Sequence, residues 1–555
     1  MHDEPPHLAS PPSTRALRGS PGTARLAPMS SDTQPHARDS VPVNIWGPAI
    51  AAVLLGLLTL TARVQSNDTL LVSFYVAAAL LLLGQAAVLV RGYTTGTRPG
   101  IDVVLRSQHY IQAAVQVAVL TYWGWHWRPV YDMSLLIAAQ LTFAYGFGIV
   151  LTWLRGRRYS LGFGPFPIIL SINLFLWFKD DWFYLQFLMI AVGFLGKEFV
   201  QWTRDGRRVH IFNPSAFALG LFSLALIATG TTDLTWGQEI ASTLTLAPDI
   251  YTFLFMMGLV VMYFFSITLV AGTAAAVLFG LSAAYSAWAG VPYFVDSEIP
   301  AAVFLGLHLL ITDPSTSPRT PLGKTAFGAL YGVGVFALYN VLASAGAPTF
   351  YDKLLCVPLL NLSVRGIDMA VRSIDRRGIR IPGLVGFGGD PAHLRKLNLA
   401  HIGIWIAFFG VMAMSGKADG THPGDQLPFW QTACADGKPN ACHRLLQIEA
   451  SYCGDNSAWA CNELGVHYSN GGMTATDAAL GSKYFARACE LRFQPGCLNL
   501  LEPVEKLTAS PRPLDLRLLL REGGLNLMEV SDGDLYVKAC SHGWTFACNA
   551  NSGTP

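Results

Sequence analysis

The stretch Ile311-Thr-Asp-Pro-Ser-Thr-Ser-Pro-Arg-Thr-Pro-Leu-Gly-Lys324 places one acidic residue and three prolines between two apolar segments, the second of which runs on to Asn340. Lipid offers no hydrogen-bond partner to the backbone groups that proline releases, and an unpaired carboxylate is costly there. Such an interruption survives in a membrane protein when the surrounding protein satisfies it. The stretch therefore predicts a built site around Thr312 and Asp313 inside a bundle of membrane helices.

A second interruption of the same kind is His210-Ile-Phe-Asn-Pro-Ser-Ala-Phe217, whose Asn213-Pro214 step precedes the Asp313-Pro314 step by 100 residues. Helices broken in corresponding places of two halves indicate a site inside a transporter-like bundle. Asn or Asp before proline also opens ordinary turns at the start of helices. The spacing leaves both interpretations open, and the first predicts a paired site that includes Asn213 and Pro214.

The composition is that of an integral membrane protein, because 52% of the residues are hydrophobic and only 13% are charged. An average soluble protein is about 25% charged. A net charge of +2 without a basic tract does not indicate nucleic-acid binding. Residues 1–42 are rich in Pro, Ser, Thr, Arg and His and are interpreted as a disordered cytoplasmic tail.

Residues 43–417 are interpreted as an all-α, polytopic membrane helix bundle in the lipid bilayer. A helix crosses the bilayer core of about 30 Å when its apolar run is long enough. About thirteen such spans are predicted, over 43–63, 69–90, 110–125, 133–154, 161–178, 182–202, 212–230, 251–270, 273–288, 300–311, 325–343, 354–371 and 399–414.

The charges of the connections predict the orientation, since Lys and Arg collect on the cytoplasmic side. Alternate connections are basic, with Arg91, Arg98 and Arg106, then Arg155, Arg157 and Arg158, then Arg204, Arg207 and Arg208, then Arg319 and Lys324, then Arg372, Arg376, Arg377, Arg380, Arg395 and Lys396. The connections between them are neutral or acidic. The N-terminus is therefore expected in the cytoplasm and the C-terminus outside it.

Eight of the nine cysteines lie after residue 418 in four pairs of eight-residue spacing, Cys434 and Cys442, Cys453 and Cys461, Cys489 and Cys497, and Cys540 and Cys548. Eight residues of continuous helix span about 12 Å, whereas the Cα atoms of a disulfide lie about 5.5 Å apart. Each pair must therefore straddle a bend. Disulfides indicate an oxidising compartment, which for a bacterium lies outside the inner membrane. Zinc is the alternative, although its ligands usually come at shorter cysteine spacings.

The sequence Ala-Cys-Asn-Glu-Leu-Gly-Val-His-Tyr at 460–468 and the 36-residue step from Cys453 to Cys489 resemble cysteine-rich helical-hairpin repeats of the SEL-like, tetratricopeptide-related class. The resemblance covers residues 427–550, and its 501–535 part departs from the pattern. It implies that residues 418–555 form an α-helical hairpin-repeat domain, which the charges and cysteines place in the periplasm. Such repeats bind partner proteins on a concave face.

Several ordered motifs lie between residues 160 and 372, namely Leu-Gly-Lys at 195–197, Phe-Asn-Pro-Ser-Ala at 212–216, Ile-Thr-Asp-Pro-Ser-Thr-Ser-Pro at 311–318, Gly-Lys at 323–324, Phe-Gly-Ala-Leu at 327–330 and Leu-Asn-Leu-Ser-Val-Arg-Gly-Ile-Asp at 360–368. Together they resemble the D-type membrane subunit of the Rnf electron-transport complex and its paralogue, the B-type subunit of the sodium-translocating NADH:quinone reductase. Membrane proteins encoded with enediyne biosynthesis are similar. The resemblance implies an integral flavin-bearing subunit that passes electrons among other membrane electron-transport subunits and is coupled to ion translocation.

The resemblance also implies a place for the flavin. In the family, FMN is joined by a phosphodiester to a threonine in a pattern like Asp-x-x-Ser-Gly-Ala-Thr. The corresponding segment here is Glu239-Ile-Ala-Ser-Thr-Leu-Thr245. Ser242 and Thr245 keep their spacing, whereas Glu239 replaces the Asp and the Gly-Ala pair is absent. The alternative is an external polar loop that carries no cofactor.

Other polar residues interrupt the apolar runs. Lys197 and Glu198 are interpreted either as a pair that reaches to the membrane surface or, with Asn213 and Asp313, as the lining of an ion or cofactor cavity. Charged residues of the run beginning near 354 must face protein or water and are candidates for an ion pathway: Asp352, Lys353, Arg365 and Asp368.

The histidines and the remaining cysteine bear on other cofactors. His308 and His401 lie in apolar runs, where polar packing is favoured over haem ligation. Cys356 is the one cysteine before residue 418, which argues against a cysteine-ligated iron–sulfur cluster in this chain. No dinucleotide-binding or P-loop glycine pattern occurs, so nicotinamide is expected to bind a partner subunit.

Three functions are therefore carried forward. The first is an integral subunit of a redox-driven, ion-translocating complex. The second is a solute or ion channel of the same bundle fold without redox activity. The third is a membrane anchor that presents a protein-binding repeat domain.

Overall fold

The computed structural model describes residues 45–96, 99–204, 206–295, 297–377, 391–415, 422, 424, 427–454, 457–471, 473–501 and 507. The predictions for residues 1–42 and for the Cys540 and Cys548 pair lie outside these residues. Most of the described chain is helical, as the sequence predicts. Only two small sheets accompany the helices in this part of the chain.

Sixteen helices make up the described part of the bundle: α1 (Gly47–Leu58), α2 (Ala62–Gln65), α3 (Asp68–Thr95), α4 (Ser107–His126), α5 (Pro129–Asp132), α6 (Ser134–Leu154), α7 (Pro165–Asn173), α8 (Tyr184–Phe199), α9 (Pro214–Thr229), α10 (Gly237–Thr243), α11 (Ile250–Phe265), α12 (Thr268–Ala289), α13 (Ala301–Leu309), α14 (Pro321–Ser344), α15 (Asp352–Arg376) and α16 (Pro391–Ser415). Strands β1 (Ile101–Val103) and β2 (Tyr159–Leu161) pair in parallel, and β3 (Gln201–Arg204) and β4 (Arg207–His210) form an antiparallel hairpin.

Six helical segments of the described residues are long and apolar enough to cross a membrane: Asp68–Thr95, Pro129–Leu154, Thr268–Ala289, Pro321–Ser344, Thr349–Ile374 and Arg395–Met414. A seventh crossing results if Gly237–Leu246 and Ile250–Phe265, which are bent by 101° at their junction, are one span. The chain is therefore a multi-pass membrane protein. The finer count of about thirteen spans stays a prediction.

Two predicted spans contain only short helices. The runs 161–178 and 300–311 form α7 and α13, each of nine residues, which is about 14 Å of helix and under half of a bilayer core. Eight residues of α7 and all nine of α13 are buried. Both short helices therefore lie inside the bundle, surrounded by longer helices.

The surroundings of the two short helices repeat in large part. α7 packs against α4 and α6, and α13 packs correspondingly against α11 and α12. α8 packs on α9 as α14 packs on α15, and α9 meets α15 where the two sets join. The described bundle thus contains two similar five-helix sets. The first set is α4, α6, α7, α8 and α9, and the second set is α11, α12, α13, α14 and α15.

Small residues allow close contact between α12 and α14. A Cβ atom at Gly328 would lie 2.3 Å from the Val270 carbonyl oxygen, and one at Gly332 would lie 3.0 Å from the Ala274 carbonyl oxygen. α14 and α12 therefore touch backbone to backbone, which is how membrane helices gain packing energy without a hydrophobic driving force.

The ends of the bundle differ in charge. At one end the connections are joined by Arg155 and Glu198 at 2.9 Å and by Arg158 and Asp102 at 2.7 Å, and the Lys324 ammonium donates to the Ser266 carbonyl. This is called the basic end. At the other, Arg63 pairs with Asp180 at 2.8 Å, and the disulfide-linked helices described next pack there. It is called the disulfide end.

Five further helices follow the bundle: α17 (Leu427–Ala435), α18 (Ala441–Gly454), α19 (Ala458–Asn470), α20 (Ala478–Glu490) and α21 (Gln494–Leu501). Each packs against the next. Disulfides join Cys434 to Cys442, Cys453 to Cys461 and Cys489 to Cys497, with Cα atoms 4.5, 4.7 and 4.6 Å apart. The prediction that each pair bridges a bend is confirmed for these three.

The disulfide-linked helices pack directly on the bundle. Ala289 and Val291, at the end of α12, are buried in one cluster with Leu427 and Trp430. The Arg444 guanidinium lies over the Tyr339 ring at 4.6 Å and donates to the Tyr293 carbonyl at 3.3 Å. Apolar burial and a buried cation therefore hold α17 and α18 on the ends of α12 and α14.

Candidate functional site

Asn213 connects the two proline interruptions at the basic end. Its Nδ2 donates to the Leu310 carbonyl at 3.0 Å, and its backbone N–H donates to Asn361 Oδ1 at 3.0 Å. Asn361 Nδ2 in turn donates to the Thr316 carbonyl at 3.2 Å. Asn361 of α15 thus bridges the interruptions, which meet although about a hundred residues separate them.

Asn213 also explains why α9 begins where it does. Its Oδ1 accepts hydrogen bonds from Ser215 N at 3.1 Å and Ser215 Oγ at 2.8 Å, and Pro214 occupies the first helical position, where no N–H is needed. The interruption around Asp313 instead follows the end of α13. The expectation of corresponding places in two halves is therefore wrong, because one break starts a helix and the other follows one.

Asp313 is satisfied by its own turn and by a histidine. Its Oδ1 accepts from Ser315 N at 2.9 Å and Ser315 Oγ at 2.6 Å, and its Oδ2 accepts from Thr316 Oγ1 at 3.2 Å. His210 Nε2, at the end of β4, lies 3.8 Å from Asp313 Oδ2 and 2.9 Å from Ser315 Oγ. We call His210, Asn213, Asp313, Ser315, Thr316 and Asn361 the proline cluster.

Arg319 and Lys324 lie on the same short loop as Asp313, and the sequence predicts both as its possible basic partners. The structure gives Lys324 a different contact. Its ammonium donates to the Ser266 carbonyl at 2.7 Å, because it lies on the first turn of α14 and extends toward α12. Thr312 donates its hydroxyl to the His308 carbonyl at 2.6 Å. The Thr312 hydroxyl thus continues the bonding of α13 and does not point into the proline cluster.

A buried ion pair supports the proline cluster. Arg204 Nη2 lies 2.7 Å from Asp368 Oδ2, with the side chains only 9% and 11% exposed, and Arg204 Nη1 donates to the Ser317 carbonyl at 3.1 Å. Asp368 therefore faces protein, as predicted. Arg365, on the same helix, is exposed at the surface of the bundle and lies outside the buried stripe that holds Asn361 and Asp368.

Lys197 and Glu198 have separate surroundings. Glu198 pairs with Arg155 at 2.9 Å and Arg157 at 2.6 Å. Lys197 is within electrostatic reach of Asp313 and His109. Lys197 thus belongs beside the proline cluster, whereas Glu198 joins a network of arginines at the basic end.

Ser242 lies in the last turn of α10 and Thr245 in the short turn between α10 and α11, both away from the proline cluster. Thr245 is half-buried, and its hydroxyl donates to the Ser242 carbonyl at 2.9 Å. The Ser242 hydroxyl donates to the Glu239 carbonyl at 3.3 Å. The predicted cofactor residues therefore lie in two separate places. Asn213, Pro214 and Asp313 lie at the proline cluster, whereas Ser242 and Thr245 lie around the end of α10.

A buried amide network that was not predicted from the sequence surrounds α7. Asn173 Nδ2 donates to Gln140 Oε1 at 2.7 Å, and Gln186 Nε2 donates to the same oxygen at 3.2 Å. Gln116 Nε2 donates to Ser171 Oγ at 2.7 Å. Lone glutamines within apolar runs were the available signal, since buried amides in membrane helices bond between helices.

The buried histidine His308 packs against aromatic rings. Its Nδ1 lies 2.8 Å from the Phe304 carbonyl oxygen, and its ring centroid lies 4.5 Å from that of Phe304. Among the described residues, no group of three or more His, Cys, Asp or Glu side chains is placed to hold a metal ion.

Comparison of the chain with protein-family models, curated proteins and solved structures finds no match. The family resemblance therefore stays a prediction from the sequence motifs.

Proposed function

We propose that the chain is an integral membrane component of an electron-transport complex, similar to the D-type subunit of the Rnf complex, in which electron passage is coupled to ion translocation. The observation that carries the proposal is the meeting of the separate motifs at the basic end. Asn213, Asp313 and Asn361 come from three of those motifs, and the contacts of Asn213 and Asn361 connect them. Asp368, from the last motif, is joined to Ser317 through Arg204.

The Leu-Gly-Lys motif belongs to the same assembly. A Cβ atom at Gly196 would lie 2.6 Å from the Phe217 ring, so a larger residue would separate α8 from the start of α9. The next residue, Lys197, is the one within electrostatic reach of Asp313. The glycine allows close packing and the lysine supplies positive charge near Asp313. This supports Lys197 as part of a cavity lining over Lys197 as a side chain that reaches to the membrane surface.

The proposed topology has thirteen crossings. In it, α7 and α13 are each continued across the membrane by a non-helical stretch, at 174–178 and 310–320. Burial inside protein is what allows such stretches at membrane depth. The arginine-rich basic end then lies in the cytoplasm of a bacterial inner membrane. The disulfide end, with a SEL-like repeat domain, lies in the periplasm.

FMN is proposed at Thr245. The half-buried hydroxyl bonds only within its own turn among the contacts described, so a phosphodiester there would displace one local hydrogen bond. Thr245 and Ser242 would hold the phosphate end of the group, and bound FMN would supply one-electron and two-electron transfer. The same chain without flavin would leave electron passage to other subunits.

The test is in-gel fluorescence of the purified, denatured full-length chain. Flavin fluorescence is expected to stay with the wild-type polypeptide and with Thr243→Val, whose hydroxyl also bonds within this turn. It is expected to be lost in Thr245→Val. A wild-type band without fluorescence, from a host that makes covalent flavoproteins, would refute the flavin proposal.

The second candidate is a solute or ion channel, and the two buried short helices favour it. Broken helices at membrane depth commonly form substrate pathways between two repeats. Solute flux into liposomes by a flavin-free wild-type chain would select this candidate. Binding of a soluble protein to residues 418–555, with neither flavin nor flux, would select the anchor instead.

A further inference from the structure

Two adjacent charged residues, Asp352 and Lys353, are buried at the start of α15. Their exposed fractions are 1% and 2%, and Lys353 Nζ lies 3.3 Å from Asp352 Oδ1. The ammonium also donates to the Phe350 carbonyl. Charges this deeply buried in a membrane protein mark functional sites more often than structural ones.

The ammonium contacts the oxygen atoms that a metal cation would need as ligands. A carboxylate and a backbone carbonyl are the oxygen ligands that hard cations prefer, and here both oxygens contact Lys353 Nζ. The positive charge is covalently attached and cannot be exchanged for Na⁺. A proton can still bind to and leave the carboxylate, since it needs no coordination shell.

A hydroxyl without a partner lies beside the pair. The Tyr331 hydroxyl of α14 is fully buried and makes no hydrogen bond among the described residues, and a buried hydroxyl without a partner normally destabilises a protein. A Cβ atom at Gly306 of α13 would lie 3.0 Å from that oxygen and 3.8 Å from Lys353 Cβ. The glycine thus leaves room between the hydroxyl and the pair.

Other titratable groups face Asp352 from the surrounding elements. Tyr331 of α14, Tyr293 before α13 and Cys356 of α15 all interact electrostatically with it. The short helix α7, in contrast, is surrounded by the neutral amides of Gln116, Gln140, Asn173 and Gln186. The groups next to α7 are therefore neutral amides, whereas ionisable groups lie next to Asp352 at the start of α15.

We propose that Asp352, Lys353 and Tyr331 form a proton-exchange site in the second five-helix set, and that the ion moved there is H⁺ and not Na⁺. The inference rests on the proposed function only in that an ion crosses the bundle. The Asp352 carboxylate takes up one proton to become a carboxylic acid and later releases it, while Lys353 stays an ammonium. The Tyr331 hydroxyl makes no hydrogen bond among the described residues and lies across the space that Gly306 leaves beside the pair, so it is available to bond the carboxylate during the exchange.

The first test asks whether Lys353 occupies a cation site. The thermal midpoint of the purified full-length chain is measured with Na⁺ and with choline. The wild type is expected to give the same midpoint in both. Lys353→Ala is expected to be less stable in choline and to recover in Na⁺, and the recovery is expected to vanish when Asp352→Asn is added. A wild-type midpoint that rises with Na⁺, or a Lys353→Ala variant that ignores Na⁺, overturns the inference.

The second test asks which ion moves. The full-length chain is reconstituted in liposomes that contain a pH dye or a sodium dye, and a potassium diffusion potential is applied. Proton flux is expected for the wild type and for Tyr339→Phe, a tyrosine control on the same helix, and is expected to be lost in Tyr331→Phe and Asp352→Asn. Sodium flux, absence of proton flux in the wild type, or full flux in Asp352→Asn each overturns the inference. The flavin fluorescence test is independent, so loss of the redox proposal is distinguishable from loss of this one.

Discussion

Asp368→Asn is expected to lower the free energy of unfolding by about 3 to 5 kcal/mol, the cost of leaving one member of a buried ion pair without its partner. Asp368 and Arg204 are 11% and 9% exposed and 2.7 Å apart, so water screens the pair little. Asn has nearly the shape of Asp, and the loss therefore reports charge and not a cavity. Arg204 keeps its hydrogen bond to the Ser317 carbonyl, which places the expected cost toward the lower limit.

The measurement is denaturant unfolding of the purified chain in detergent, followed by tryptophan fluorescence. Glu198→Gln is the matched control at the same end of the bundle, and its more exposed pairs predict a loss of about 0 to 1 kcal/mol. The double variant Arg204→Met with Asp368→Leu is expected to regain most of the stability, since apolar pairs of similar volume replace buried ion pairs well. An Asp368→Asn variant as stable as the control would refute the reasoning, and so would a double variant no better than the single one.

Asp313→Asn is expected to leave folding intact, because the hydroxyl donors around Asp313 come from its own turn. The same variant is expected to lower turnover of the assembled complex. Unchanged turnover would mean that the proline interruptions only mark the ends of helices. Replacing Cys453 and Cys461 by Ser is expected to cost about 2 to 4 kcal/mol in local unfolding, measured by hydrogen exchange, and protection equal to that of the wild type would contradict this. Burial lowers the pKa of His467, but the hydrogen bond and charge of Glu449, 3.3 Å away, outweigh it and leave that pKa raised. The stabilisation by His467 is therefore complete below its unfolded pKa of about 6.5 and is lost as the pH rises through the raised folded-state pKa. Thermal midpoints measured against pH should show this loss. The pH dependence should disappear in Glu449→Gln.

The membrane class and the disulfides were predictable because each depends on a local pattern. Long apolar runs form helices wherever they lie, and a spacing of eight residues places two cysteines across one bend. The short helices α7 and α13 were harder to predict, since hydropathy does not distinguish a half-length helix with a buried extension from a full span. The prolines that begin α7 and the Pro300 before α13 were the available signs.

The partner of Asp313 could not be predicted from proximity in the chain. Lys324 is close in sequence, but the helical direction of α14 carries it toward Ser266. His210 comes from the hairpin of β3 and β4, which the sequence suggested was a plain connection between spans. The contacts of a β-hairpin depend on where it packs on the rest of the protein. That position cannot be predicted from the local sequence of the hairpin.

The packing of α17 and α18 on the bundle sets an order of events in biosynthesis. These helices are translated after every bundle helix, and a Cβ atom at Gly424 would lie 1.7 Å from the Val295 carbonyl oxygen, so the docked chain allows no other residue there. In the proposed topology, the ends of α12 and α14 stay uncovered until the C-terminal segment has been exported. Docking of α17 and α18 would thus be the last step in completing the bundle, and a chain that ended before them would leave Ala289 and Val291 without their apolar neighbours.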